Sequence, residues 1–358
     1  MSIETPLRDV DVYLVGSRYS HHSTFSGYDG FRRYVGKTIE TPLRFRYLDR
    51  AYRLDHAISA LLRKPHYSAT MFLTELRAAL HMLVHRGAVY HLIYGDTDLR
   101  LLALFGRLTR VPVVATFHEP PFGLEWMKVD RSVTDGLAAV ILVSHAQRSH
   151  FEGLVSPERL FVVPHGIDTE FFQPPAEPSP DPVCITVGSK YRDFDALSEA
   201  ITIVREVYPN VRFLAIGTDV NTRTPLGDKR VTYMPSVDDA QLLAAYHSAR
   251  LAVLPFKLAT ANNALLEAMA CGLPLVTTDV GGVREYVGED GAFICRPHDS
   301  ESLARGMLML LGDRALAERM GTANRRRALS FDYRSTAQLH REIYSLALET
   351  SRSEGAGA

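Results

Sequence analysis

The sequence runs to 358 residues, 46% hydrophobic and 23% charged, an ordinary balance for a soluble globular protein. At roughly 100 to 200 residues per domain it has room for two domains. A net charge of −1 gives no overall attraction to nucleic acid, and Cys184, Cys271 and Cys295 are too few and too scattered for a disulfide framework or a zinc site. The opening MSIETPLRDVDVYLVG has no basic segment followed by an apolar stretch, so it does not read as a signal peptide. No apolar run approaches the ~20 residues needed to span a bilayer. The cytoplasm is the expected compartment. Charge is uneven all the same: between Arg32 and Lys64 nine basic residues accompany three acidic ones. That stretch reads either as a solvated helical face or as a surface for anionic lipid or a phosphorylated acceptor, at the inner face of a membrane.

In chain order, VDVYLVG (10–16) is a short apolar strand ending in glycine, followed by the loop GSRYSHHSTFSGYDGF. Further strands are HLIYG (91–95), VPVVATFH (111–118) and AAVILVS (138–144), with helical stretches between them. Apolar β-branched runs alternating with helices predict a parallel sheet covered on both faces. The segment FFQPPAEPSPDPV (171–183) breaks this pattern and reads as an interdomain linker. The alternation then restarts with VCITVGS, VRFLAIG, VTYMP, LAVLPF, LPLVTTDVGG and AFICR, and ends in helices. The expectation is therefore α/β, with two doubly wound domains, 1–170 and 184–334, facing a cleft. A helix at 335–350 follows, with a disordered tail at 351–358. Ligands of such sheets bind at the carboxyl ends of the strands.

The richest segment is NNALLEAMACGLPLVTTDVGGVREYV (262–287). Glu267 lies among Leu265, Leu266, Ala268, Met269 and Ala270, and a carboxylate in such company is costly to bury without a partner. A pair of sugar hydroxyls would serve as one; a plain exposed position near a helix N-terminus is the alternative. The backbone N–H groups of Asn263 and Ala264 would be free at the helix start to hold a phosphate. Elsewhere, GDTD (95–98) spells Asp-x-Asp, a metal-binding pattern in other settings. Asp96 or Thr97 acting as a helix N-cap accounts for it without a metal.

The block LLEAMACGLPLVTTDVGG resembles the donor-binding signature of family 4 glycosyltransferases. VVPHGIDTEFFQP (162–174), LVSHAQRSHF (142–151) and the terminal FDYRSTAQLHREIY are similar to that family as well. The blocks occur in the family's order across nearly the whole chain. The resemblance implies the GT-B architecture: two Rossmann-like domains with a C-terminal helix crossing back to the first. It also implies retaining, metal-independent transfer of a sugar from a UDP- or GDP-linked donor to an acceptor hydroxyl, the acceptor being a glycan, lipid or small molecule.

Roles for individual positions follow from the same resemblance. Glu267 matches the glutamate that binds the ribose hydroxyls. Eight positions earlier, where the family usually has a second glutamate, stands Ala259, which leaves the transferred sugar to backbone groups or to Asn262 and Asn263. In VGSKYRDF, Arg192 falls where the family's lysine is expected, while Ser189 and Lys190 replace its arginine. Lys190 and Arg192, beside Gly188, would neutralise the departing diphosphate. Gly27, with Gly16 as second candidate, would let backbone N–H groups approach that diphosphate. His118 matches a histidine near the reacting centre, and Glu119, His21 and His22 are acceptor-side candidates. A base pocket is expected near Gly217 and 234–237. Two other readings stay open: a nucleotide-sugar 2-epimerase, and a non-catalytic or partner-dependent nucleotide-binding protein, the latter prompted by Ala259. A nicotinamide dehydrogenase is disfavoured, because no strand ends in a G-x-G-x-x-G turn.

Overall fold

The computed structural model describes residues 10–16, 23, 25–40, 52–65, 67–217 and 231–356. It divides into two compact units. The first comprises residues 1–21, 31–164 and 334–358, and the second residues 22–30 and 165–333.

Six described strands form the sheet of the first unit: β1 (Val12–Val15), β2 (Lys37–Ile39), β3 (Val89–Leu92), β4 (Val113–Phe117), β5 (Ala139–Leu142) and β6 (Leu160–Val162). All pairings are parallel, in the order β2-β1-β3-β4-β5-β6. β1, β3, β4 and β5 are buried along their whole length, which is why they read as largely apolar runs, interrupted by His91 in β3 and Thr116 in β4. β2 and β6 escape sequence reading: each has three residues at a sheet edge, and the first two residues of β2 are exposed.

The second unit has β7 (Val183–Val187), β8 (Arg212–Ile216), β9 (Val231–Met234), β10 (Leu251–Leu254), β11 (Leu275–Thr278) and β12 (Ala292–Cys295). Their order is β12-β11-β10-β7-β8-β9, again all parallel. Chain direction across the sheet reverses between β7 and β10, and in the first unit between β1 and β3. At such switch points the connections leave to opposite faces, opening a crevice beyond the strand ends.

Three expectations are corrected. Residues 22–30 group with the second unit, not with the domain their position implies. Phe25 stacks on Phe171 with 3.7 Å between ring centres, Asp168 N–H donates to the Phe25 carbonyl (2.9 Å), and the Tyr333 hydroxyl donates to the Gly27 carbonyl (2.7 Å). The 171–183 segment is not where this unit begins: Phe172 is fully buried in its core. The tail from Ser351 is not disordered through its first six residues, because the last helix, Tyr333–Ala356, continues through them. From Arg334 onward that helix belongs to the first unit. There the Tyr344 hydroxyl meets His91 Nδ1 at 2.7 Å.

Candidate functional sites at the two switch points

In the second unit, Gly188 directly follows β7 and Gly217 directly follows β8, both in the left-handed region (φ +79° and +66°). The two glycines lie side by side: a Cβ on Gly217 would sit 3.7 Å from Gly188 N. Side chains there would narrow the crevice mouth, so glycine keeps backbone exposed to a ligand. The base-pocket candidates adjoin them, since Gly217 N–H donates to the Met234 carbonyl (2.9 Å) and Val237 packs on the same core.

The loop 189–193 turns from β7 toward the end of β10, where Asp193 N–H donates to the Pro255 carbonyl (2.8 Å) and Lys257 N–H to the Tyr191 carbonyl (2.7 Å). This places Arg192 between the two strand ends. Its guanidinium lies 4.2 Å from the Phe256 ring centre and donates through Nη2 to the Val187 carbonyl (2.5 Å) and to Asn262 Oδ1 (3.2 Å). Burial pulls its pKa down to about 10, so it remains a cation near neutrality. Its buried Nε has no hydrogen-bond partner. Lys190 has a different setting, with Nζ 5.1 Å from the ring centre of Tyr191.

Asn262 caps the helix Asn263–Ala270, its Oδ1 accepting from Leu265 N–H (3.2 Å). The first bond of the helical ladder runs from Leu266 N–H to the Asn262 carbonyl, so the N–H groups of Asn263 and Ala264 precede it. Asn263 Oδ1 is buried without a partner. Arg192, the helix start and Gly188 thus meet at one switch point, a setting for an anion. Asn262 does not have a side-chain oxygen to spare for a sugar, because cap and cation both use it.

One turn further along the helix, Glu267 is 4% exposed. Its Oε1 accepts a short hydrogen bond from Ser26 Oγ, and its Oε2 accepts from the Tyr246 hydroxyl at 2.7 Å. Burial raises the carboxyl pKa, and these two bonds oppose the rise. Ser26 and Tyr246 were not legible as site residues. Tyr246 reads in sequence as one apolar member of a helix, and Ser26 stands 241 positions away from its partner. Ala259 is buried, and its carbonyl accepts from Gly282 N–H (3.3 Å). A Cβ at Gly281, where φ is +50°, would overlap that carbonyl. Gly27 donates its N–H to the Ser23 carbonyl (3.1 Å).

The first unit has its own polar cluster. His118 follows β4, and its Nε2 meets the Ile93 carbonyl at 2.6 Å, so that nitrogen carries the proton donated there. Its backbone N–H donates to both oxygens of Asp96 (3.1 and 2.9 Å), and that of Glu119 donates to Asp96 Oδ1 (3.2 Å). Neither Asp96 nor Thr97 is an N-cap: the short helix Gly95–Asp98 follows Tyr94 with no side-chain cap. Asp96 instead ties the end of β3 to that of β4, and Asp98 Oδ1 accepts from the Thr97 hydroxyl. Gly16, at φ +134°, lies beside Asp98: a Cβ there would be 3.4 Å from Asp98 Oδ2.

Burial raises the pKa of Asp96 to about 6 and of Asp98 to about 7. Behind them Lys64 is 2% exposed, its Nζ has no hydrogen-bond partner, and burial lowers its pKa to about 8 against the pull of Asp96, Glu75 and Asp98. Lys64 therefore leaves the basic surface to which its sequence position assigned it. Arg32, in the same stretch, pairs with Glu40. Arg44, Arg46 and Arg50, like His21 and His22, lie outside the described residues. Among the described residues no helix is long and apolar enough to cross a membrane.

Comparison with known proteins matches each part of the chain to a family model. Residues 8–171 match Glycosyltransferase Family 4 and residues 181–313 match Glycosyl transferases group 1. A phosphatidylinositol N-acetylglucosaminyltransferase component of Arabidopsis thaliana is 30% identical over 225 residues, covering 59% of this chain and 50% of that protein. The MMP α-(1→4)-mannosyltransferase of Mycolicibacterium hassiacum is 28% identical over 275 residues, covering 73% and 64%. The chain thus spans half to two thirds of the length of these curated relatives. Among solved structures, Anabaena HepE in complex with UDP and glucose superposes with a TM-score of 0.67 at 17% identity, covering 94% of this chain and 99% of that one. Sucrose-phosphate synthase from Thermosynechococcus elongatus gives 0.59 at 20% identity, covering 80% of each. At these identities the likeness establishes the fold, the two-domain GT-B architecture.

Proposed function

The chain belongs to the group 1 glycosyltransferases of family 4, and we propose that it moves a sugar from a UDP- or GDP-linked donor to an acceptor hydroxyl with retention of anomeric configuration. The observation that carries this reading is the convergence, at the switch point between β7 and β10, of buried Arg192, the helix start at Asn263 and the carboxylate of Glu267. Breaking the bond between sugar and diphosphate leaves negative charge on phosphate. A preorganised cation and free backbone N–H groups at that place stabilise the transition state more than the ground state. In this reading Arg192, Lys190 and the N–H groups of Asn263 and Ala264 take the diphosphate and supply the positive charge, with no metal ion required. Glu267 takes the ribose, and Gly188 and Gly217 let the nucleotide approach. Gly27 and Gly16 are further candidates for contact with the diphosphate. By the family resemblance we assign His118 to the reacting sugar and Glu119 to the acceptor. In this reading the protein works in the cytoplasm, and the basic stretch from Arg32 is either a solvated face or a peripheral membrane contact.

A thermal-shift titration with UDP and GDP, on wild type and Glu267→Gln, tests the donor site. One nucleotide at about a hundred times its dissociation constant should stabilise wild type by about 2.7 kcal/mol, and the variant much less. No shift with either nucleotide, or an equal shift in the variant, would overturn the assignment.

A further inference from the structure

The two oxygens of Glu267 are held by partners of different kinds. Oε2 accepts from the Tyr246 hydroxyl at 2.7 Å, and that hydroxyl also lies 3.3 Å from the Ala264 carbonyl. Tyr246 is 1% exposed, fixed on the helix Asp239–Ser248 within the core that also buries Leu266 and Met269. A phenol so placed has no water to turn to, and burial together with the Glu267 charge raises its pKa, so it stays a donor. Oε1 accepts from Ser26, which stands in the turns 25–30 and reaches Glu267 from outside the β-α-β framework. Ser26 is about as buried as Tyr246, at 2% exposed, but it stands in a turn, so a shift of that turn alone lets a ligand hydroxyl replace its O–H. The tyrosine, locked in a helix, cannot be exchanged without opening the core.

We propose that Tyr246 is the positioning residue for ribose recognition: it occupies Oε2, fixes the carboxylate, and leaves Oε1 as the oxygen offered to the nucleotide, in the place now taken by Ser26 Oγ. Tyr246 acts through Glu267 and touches no reacting atom. The proposal rests on the ribose role of Glu267 given above and adds which oxygen reads the ribose and what holds it there.

The test is calorimetric titration of wild type, Tyr246→Phe and Ser26→Ala with UDP, 2′-deoxy-UDP and 3′-deoxy-UDP, or with the guanosine set where wild type selects GDP. A hydrogen bond to a charged group is strong enough for wild type to prefer the ribonucleotide over at least one deoxy form by about ten-fold or more. In Tyr246→Phe that preference should fall to about three-fold or less, while Ser26→Ala should keep it and bind UDP at least as tightly as wild type. The preference is a ratio measured within one protein, so a general loss of stability cannot imitate its collapse. In a Glu267→Gln background, which leaves no unpaired carboxylate, adding Tyr246→Phe should not change the ratio further. The proposal is overturned if Tyr246→Phe retains the wild-type preference, or if Ser26→Ala weakens UDP. A wild type that binds ribo and deoxy forms alike sinks the Glu267 reading, and this proposal with it.

Discussion

Arg192 shows how much one side chain's neighbours decide. Its Nη2 bridges the Val187 carbonyl and Asn262 Oδ1 while its plane lies over Phe256. Lysine offers a point charge in place of a planar fork, so it can satisfy one of these contacts but not all of them. Arg192→Lys should therefore keep the charge and lose its placement. UDP affinity should fall about ten-fold, the loss of roughly one charge-assisted hydrogen bond, with a smaller fall for uridine, which carries no phosphate. Equal losses for both ligands in calorimetric titration would mean that Arg192 does not serve the phosphates. Glycine is used at the same scale where space is shortest: a Cβ on Gly30 would overlap the Tyr333 ring, whose hydroxyl holds the Gly27 carbonyl.

Among the elements, caps divide into those made locally and those made from afar. Asp238 caps its helix and Gln241 returns the bond to the Asp238 N–H, while Asp193, Asp299 and Asp313 cap the helices that follow them. Such caps can be read from spacing alone. The helix Leu102–Thr109 has no cap of its own. The N–H groups of Arg100, Leu101 and Leu102 donate instead to Glu75 (2.8–3.0 Å), which also takes the Tyr67 hydroxyl. Glu75 is 1% exposed and arrives from the neighbouring helix Ala69–Met82. Four donors on one carboxylate explain a buried glutamate with no need of a ligand. Glu75→Ala strands all of them, and should cost about 3 to 5 kcal/mol in urea unfolding. Glu75→Gln, which keeps one good acceptor, should recover part of that loss. A cost below about 1 kcal/mol would show that water replaces the carboxylate.

For the molecule as a whole, the return of the last helix to the first unit sets a pH dependence. His91 is fully buried between Tyr344 on that helix and Thr116, and His340 stacks on Phe31 with 4.2 Å between ring centres. Burial lowers both, His340 to about 4. Between pH 6.5 and 4 the unfolded chain therefore binds protons that the folded chain refuses, and this contribution to stability is lost as pH falls through that window. Asp96 and Asp98, raised by burial, act in the opposite sense. The histidine contribution is isolated by comparing wild type with His340→Phe. From pH 6.5 to 5, wild type should lose about 1.5 kcal/mol more than the variant. Parallel losses in denaturant titrations at the two pH values would place a proton on His340 in the folded state.

What the sequence by itself determined is the plan: two parallel sheets, their strand ends, and the positions of Gly188, Arg192, Asn262 and Glu267 near one of those ends. Largely apolar runs have few ways to be buried on both faces, and helix caps act over three or four residues, so both are local and legible. Tertiary structure alone decided which partners those groups meet. Short edge strands such as β2 and β6 carry little periodic signal. Lys64 looks like surface until its Nζ is found buried near three carboxylates. Ser26 and Tyr246 reach Glu267 from 241 and 21 positions away. A hydrogen bond depends on direction and distance in space, and spacing along the chain encodes neither once the chain has folded back on itself.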